Sequence, residues 1–145
     1  MSSKIKKGFE FVEHTADLKF VAYGETLDSC FENSARAMFS AIVDFDSISV
    51  VEKQEISIEA PEIETLLHDW LTELLFLFST KNVIFRDFKI SVRRDKNYKL
   101  DGIASGEKFD QKRHHIKAEV KAVTYHELYI KKKDNFWIAQ VVCDT

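Results

Sequence analysis

The chain has 145 residues, a length that fits a single domain (1–145), and its 45% hydrophobic and 31% charged content with one proline excludes intrinsic disorder. The net charge of −3 gives no bulk attraction to nucleic acid, so any RNA contact would need a local basic patch. With only Cys30 and Cys143, a disulfide scaffold or a cysteine zinc site is not expected. The segment Met1–Lys7 lacks an apolar signal core, and no run approaches the roughly 20 apolar residues of a membrane span, so a cytoplasmic protein is expected, with the nucleus left open.

Phe9 to Val12 reads as an aromatic strand that runs into a polar corner, Glu13-His14-Thr15-Ala16-Asp17, and the chain leaves through a second strand, Lys19 to Tyr23. Gly24-Glu25 turns the chain, and Thr26 stands where a helix cap is needed, with Asp28 in the first turn. Leu27, Cys30, Phe31, Ala35, Met38, Phe39 and Ile42 recur at three- and four-residue spacing, which predicts a helix of about four turns ending near Asp44-Phe45-Asp46. Val50 to Glu59 reads as a half-buried strand. Pro61 fits the first position of a second helix, whose stripe of Ile63, Leu66, Leu67, Trp70, Leu71, Leu74 and Leu75 broadens through Phe76 to Phe78 and marks it as central to the core. His68 and Asp69 on it are expected in solvent-side or capping roles.

The remainder reads as sheet. Val83 to Val92 is a strand, Arg93 to Asn97 a hairpin tip, and Tyr98 to Ser105 the return. Gly106 to His115 is expected as a loop. Ile116, Ala118, Val120 and Ala122 alternate with Lys117, Glu119 and Lys121 and predict a half-buried strand that Leu128 and Ile130 continue. Lys131 to Asn135 is expected as a tip, and Phe136 to Cys143 as the last strand. About eight strands and two amphipathic helices on one face of a largely antiparallel sheet make an α+β layered domain.

No GxSxG, Walker, HExxH or CxxC pattern is present, so no self-contained catalyst is expected. The corner residues His14, Thr15 and Asp17 either close a turn on the local backbone or present a binding site. At the other end, Asp144 stands beside the α-carboxylate of Thr145. If the last strand lies next to Asp17, three carboxylates converge, an oxygen set that suits Ca²⁺, Mg²⁺ or Mn²⁺; if it does not, they are solvated groups at a chain end. Tyr125-His126 forms a structural turn or part of a site. His114-His115 has no carboxylate or thiolate at ligand spacing.

The run Phe9 to Asp17, the helix segment with Phe31-Glu32-Asn33-Ser34-Ala35 and Ala37-Met38-Phe39, Trp70 to Phe78, Gly106 to Asp110 with His114, Glu119 to His126 and the terminal Asp144 together resemble the archease family, in order and over nearly the whole chain. The resemblance implies an archease-like fold and an accessory role: promoting guanylylation and repeated turnover of the GTP-dependent RNA ligase of tRNA splicing, which joins 3′-phosphate or 2′,3′-cyclic phosphate ends. It implies a ligase protein partner, RNA contact that is indirect or transient, and a divalent metal, first of all Ca²⁺, with Mg²⁺ or Mn²⁺ as alternatives. The metal positions carried onto this chain are Asp17, Asp144 and Thr145, with His14, Thr15, Tyr125 and His126 as candidates to orient them through hydrogen bonds. Relatives mostly end in an aliphatic residue, whereas this chain ends in Thr145, which leaves a main-chain ligand intact but removes a hydrophobic last side chain. The alternative is a chaperone-like assembly module that needs no metal. The ligase reading predicts that a tag added after Thr145 lowers ligase activation more than a tag added before Met1; equal activation by the two tagged proteins counts against it.

Overall fold

The apolar stripe of residues 27–42 forms a helix, α1 (Leu27–Ile42), in the computed structural model, which describes residues 8–13 and 17–145. Its start follows from Thr26, whose backbone is extended and whose side-chain oxygen accepts the Ser29 N–H at 3.0 Å, while the Ser29 hydroxyl accepts the Thr26 N–H at 3.1 Å. It ends at Ile42, and a short 3₁₀ turn, Phe45–Ser47, follows where the sequence suggested the helix end. The second helix, α2, spans Ile63–Lys81. Glu62, with extended backbone, is its cap, so Pro61 lies just outside the helix rather than at its first position. Asn82 closes it in the left-handed conformation (φ 58°), which Asn tolerates better than most residues.

Among the described residues eight strands form two antiparallel sheets. One has β1 (Phe9–Val12), β2 (Leu18–Gly24), β8 (Phe136–Asp144) and β6 (Ala122–Val123) in that order, with β7 (Tyr129–Lys133) also paired to β8. The other has β3 (Glu52–Ala60), β5 (Tyr98–Lys108) and β4 (Val83–Arg94), with β5 in the middle. The α+β class holds, with the strands divided between two sheets rather than gathered in one. β5 runs on through Gly106 and Glu107, which the sequence reading placed in a loop; Gly106 pairs with Phe85 so closely that an added Cβ would lie 1.8 Å from the Ile84 carbonyl oxygen. The 116–122 alternation yields only the two-residue β6 and a single bridge from Ile116 to Val43. The basic residues Arg93, Arg94 and Lys131 to Lys133 belong to β4 and β7, and the tips proper are residues 95–97 and 134–135.

Both helices pack against strands of both sheets. Trp70 is fully buried, donates its indole N–H to the Phe31 carbonyl at 3.0 Å, and meets the edge of Phe88; Phe39 and Phe85 pack edge to face beside it. Cys30, on the α1 stripe, is core, and burial pushes its thiol pKa up to about 12. A second tie is polar. Asp28 and Glu32, one turn apart on α1, accept the N–H groups of Val92 (2.7 Å) and Ile90 (3.0 Å) on the outer edge of β4. Partial burial raises the Glu32 pKa above the usual carboxylate value, against the lowering effect of the Ile90 N–H. These contacts close an edge that would otherwise present unpaired backbone groups. Asp28→Ala should leave the Val92 N–H unpaired and lower unfolding stability by about 1–2 kcal/mol in urea, while Asp28→Asn, which keeps an acceptor, should lose less.

Candidate functional site

The ladder between β2 and β8 sets the geometry of the candidate site. Leu18 lies opposite Cys143, and the register runs without interruption to Gly24 opposite Trp137. Asp17 stands just before Leu18, and Asp144 just after Cys143, at this same end of the sheet. Both carboxylates also act on the Cys143 thiol: burial first, then Asp144 and Asp17, push its pKa up to about 12. Asp17 is half-buried, and Asp144 and Thr145 are exposed. Two acids from opposite ends of the sequence, Asp17 and the penultimate residue Asp144, therefore come to the same end of the five-stranded sheet.

β6 flanks this tip on the other side. Ala122 pairs with Asp144 and Val123 with Cys143, and the Lys121 N–H donates to the Asp144 carbonyl at 2.8 Å. The main-chain oxygen of Asp144 is thus engaged, so Asp144 offers its carboxylate. His14 and Thr15 lie outside the described residues. Among the described residues no three His, Cys, Asp or Glu side chains gather into a metal-binding group. The oxygen donors at the tip are two carboxylates and the main chain of Thr145, a hard-oxygen set whose chemistry fits Ca²⁺ or Mg²⁺ rather than a thiophilic ion.

Tyr125 and His126 lie in the turn that follows β6. The Tyr125 ring lies flat on the His68 ring, with centroids 4.0 Å apart and planes at 12°. The His126 N–H donates to the Thr124 hydroxyl at 3.2 Å, and His126 Nε2 lies 3.8 Å from the Glu127 carboxylate. Neither has a hydrogen bond to Asp17 or Asp144 among the described residues. His68 is not a solvent-side residue: its Nε2 reaches the Val123 carbonyl at 2.9 Å and its Nδ1 the Asp69 carboxylate at 3.1 Å. Beside it a groove of about 470 Å³ runs between α2 and residues 119–123, with Leu75, Phe76 and Phe78 facing Val120, Ala122 and Val123.

The sequence reading missed a buried ionic knot. Glu107 on β5 accepts two hydrogen bonds from the Arg113 guanidinium (2.8 and 3.0 Å), one from the Ser49 N–H (2.6 Å) and one from His114 Nε2 (2.9 Å). His114 Nδ1 accepts the Asp110 N–H at 2.9 Å, so Nε2 carries the proton that goes to Glu107. His114 does have a carboxylate partner, seven residues back across a loop, and is committed to it. The knot fixes the connection that leads from β5 toward β6. Arg113 holds the Glu107 pKa down to about 2, against the opposing cost of burial, with help from the Ser49 N–H and His114. A carboxylate depressed from 4.5 to about 2 adds stability that is complete above pH 4.5 and is lost as pH falls toward 2. Glu107→Gln should therefore lower stability at pH 7 and flatten the acid limb of the stability profile between pH 4.5 and 2, as read by urea melts across that range; an unchanged acid limb would count against the knot.

The sequence model of the archease protein family matches residues 9–145. The protein archease of Methanosarcina barkeri is 46% identical over 99% of each chain. The solution structure of protein 1598 from Methanobacterium thermoautotrophicum superposes with a TM-score of 0.86 at 39% identity, covering 96% of this chain and 99% of that one. The crystal structure of an archease from Thermotoga maritima, described as a possible chaperone, shares the fold with a TM-score of 0.59 at 22% identity, covering 92% and 94%.

Proposed function

The chain belongs to the archease family, and from that premise we propose that it is the accessory protein of the GTP-dependent RNA ligase of tRNA splicing, promoting guanylylation of the ligase and its repeated turnover. The observation that supports this reading is the β2–β8 register, which ends at Leu18 opposite Cys143, so that Asp17 and Asp144 lie at one end of the sheet, where Thr145 follows. Asp17, Asp144 and Thr145 would hold a divalent cation, in the first place Ca²⁺. When bound, such an ion neutralises the paired carboxylates and offers its remaining coordination positions to oxygen atoms of a partner. The chain's own part is to present the carboxylates at one end of the sheet: Asp144 at the last position of β8, its backbone held by the Lys121 N–H, and Asp17 at the residue before β2. Phe76, 55% exposed on α2 at the apolar groove beside β6, supports a protein rather than a small molecule as the partner. RNA contact is indirect or transient in this reading, consistent with the net charge of −3. The protein acts in trans on the ligase and needs no catalytic residue of its own.

A chaperone-like module is the competing reading; the Thermotoga maritima relative is described as a possible chaperone. That reading predicts suppression of aggregation of unrelated clients, independent of Asp17. The deciding experiment measures labelling of the partner ligase by radiolabelled GTP with catalytic amounts of this protein, comparing wild type with Asp17→Ala and Asp144→Ala after circular dichroism shows that all three are folded. Wild type should accelerate labelling and the two variants should fall close to the rate of ligase alone. Equal acceleration by all three overturns the role of the carboxylates, and no acceleration by any overturns the ligase reading.

A further inference from the structure

β6 has two residues, fewer than a strand needs to hold its own place. The segment before it, 117–121, joins no ladder. Its described backbone ties are the Lys117 N–H to the Ile42 carbonyl at 2.7 Å and the Lys121 N–H to the Asp144 carbonyl at 2.8 Å. After β6, the Thr124 N–H and hydroxyl both donate to the Val142 carbonyl, at 3.0 and 2.9 Å, and the chain then turns through Glu127 at φ 54°. All of these bonds tie β6 and its neighbours to β8 or α1. From the α2 side the contact is His68. Its Nε2 lies 2.9 Å from the Val123 carbonyl oxygen, which can only accept, so Nε2 carries the proton. The flat stack on the Tyr125 ring stops the ring from turning away.

We infer that His68 is a positioning residue for the acidic tip. It pins Val123 to α2, Val123 keeps β6 in register with Cys143 and Asp144, and the Lys121 N–H then fixes the Asp144 backbone on the side away from Asp17. His68 touches neither carboxylate. The inference rests on the reading of the tip as a cation site. Without the His68 donor the Val123 carbonyl loses its partner, β6 frays, and the Asp144 carboxylate is no longer held at a fixed distance from Asp17. A cation would then have to order the tip on binding, which lowers its affinity.

The test uses the full chain, with Tb³⁺ luminescence titrations and competition by Ca²⁺, and amide hydrogen exchange at Lys121 and Thr124 measured in parallel. His68→Leu keeps an apolar body against Tyr125 and removes the donor; His68→Gln restores a donor N–H at similar reach; Asp144→Asn removes a ligand. Wild type should bind and Asp144→Asn should not. His68→Leu should bind about 10-fold more weakly and exchange faster at Lys121 and Thr124, and His68→Gln should recover most of both. If wild type binds and His68→Leu binds equally well, the inference fails and the cation site stands, whatever the exchange rates. If wild type does not bind, or Asp144→Asn binds as wild type does, the cation reading itself fails and the inference goes with it.

Discussion

The antiparallel ladder between β2 and β8 joins seven residues near one end of the chain to seven near the other. Closing a loop of this length costs roughly 4 kcal/mol in chain entropy before any contact forms. The apolar side chains on the inner face offset that cost: Phe20, Ala22, Ala139, Val141 and Cys143 are all fully buried there, and Phe20 alone contributes about 2–3 kcal/mol. β8 also accepts β6 and β7, so every strand of the five-stranded sheet except β1 is bonded directly to it. The position of the two carboxylates follows from this ladder. Because a slip of one residue would turn every side chain to the opposite face, the hydrophobic inner face that stabilises the sheet also fixes the register at Leu18 and Cys143, next to Asp17 and Asp144.

Carboxylates serve two different purposes in this molecule. Asp28, Glu32 and Glu107 are spent on backbone N–H groups and on Arg113, where they close a sheet edge and anchor a loop. Asp17 and Asp144 lie at the same end of the five-stranded sheet. Neither has a side-chain hydrogen-bond or ion-pair partner among the described residues, which contrasts with the committed acids elsewhere and is why we propose the tip as the site.

Much of the architecture was legible from local patterns. The start of α1 and its buried face followed from Thr26 and the spacing of its apolar residues, because a helix cap and a 3.6-residue stripe are decided within a few turns of chain, whereas its end came at Ile42, before the expected Asp44–Asp46. Pro61 misplaced the start of α2 by two residues because the extended Glu62 intervenes. The 116–122 alternation held as a burial pattern from Ala118 to Ala122, with Val120 buried and Lys121 exposed, but not at Ile116, which is exposed, and alternation in any case reports a face and not a ladder partner. The arrival of Asp17 and Asp144 at one end of the sheet could not be read from spacing at all, because nothing local in either segment encodes a register across the whole chain; the family resemblance supplied it. The same holds for His68 with Tyr125 and for Glu107 with His114, whose partners are set by how α2 and the β5–β6 connection fold back. A shared signal was nonetheless present: Glu107 and His114 are polar residues in a stretch that otherwise reads as loop, and such residues buried in a fold must find partners.

β8 also imposes an order of events during synthesis. Ribosomes make it after every other strand, yet it lies inside the five-stranded sheet. β3, β4 and β5 follow one another closely, separated only by α2 and one tight turn, and can pair as soon as they emerge. β2, β6 and β7 have no strand to pair with on the β8 side until β8 arrives. A translating chain of this protein therefore passes through a half-assembled stage with one sheet complete and the other open, and a ribosome stalled before residue 136 would hold it there.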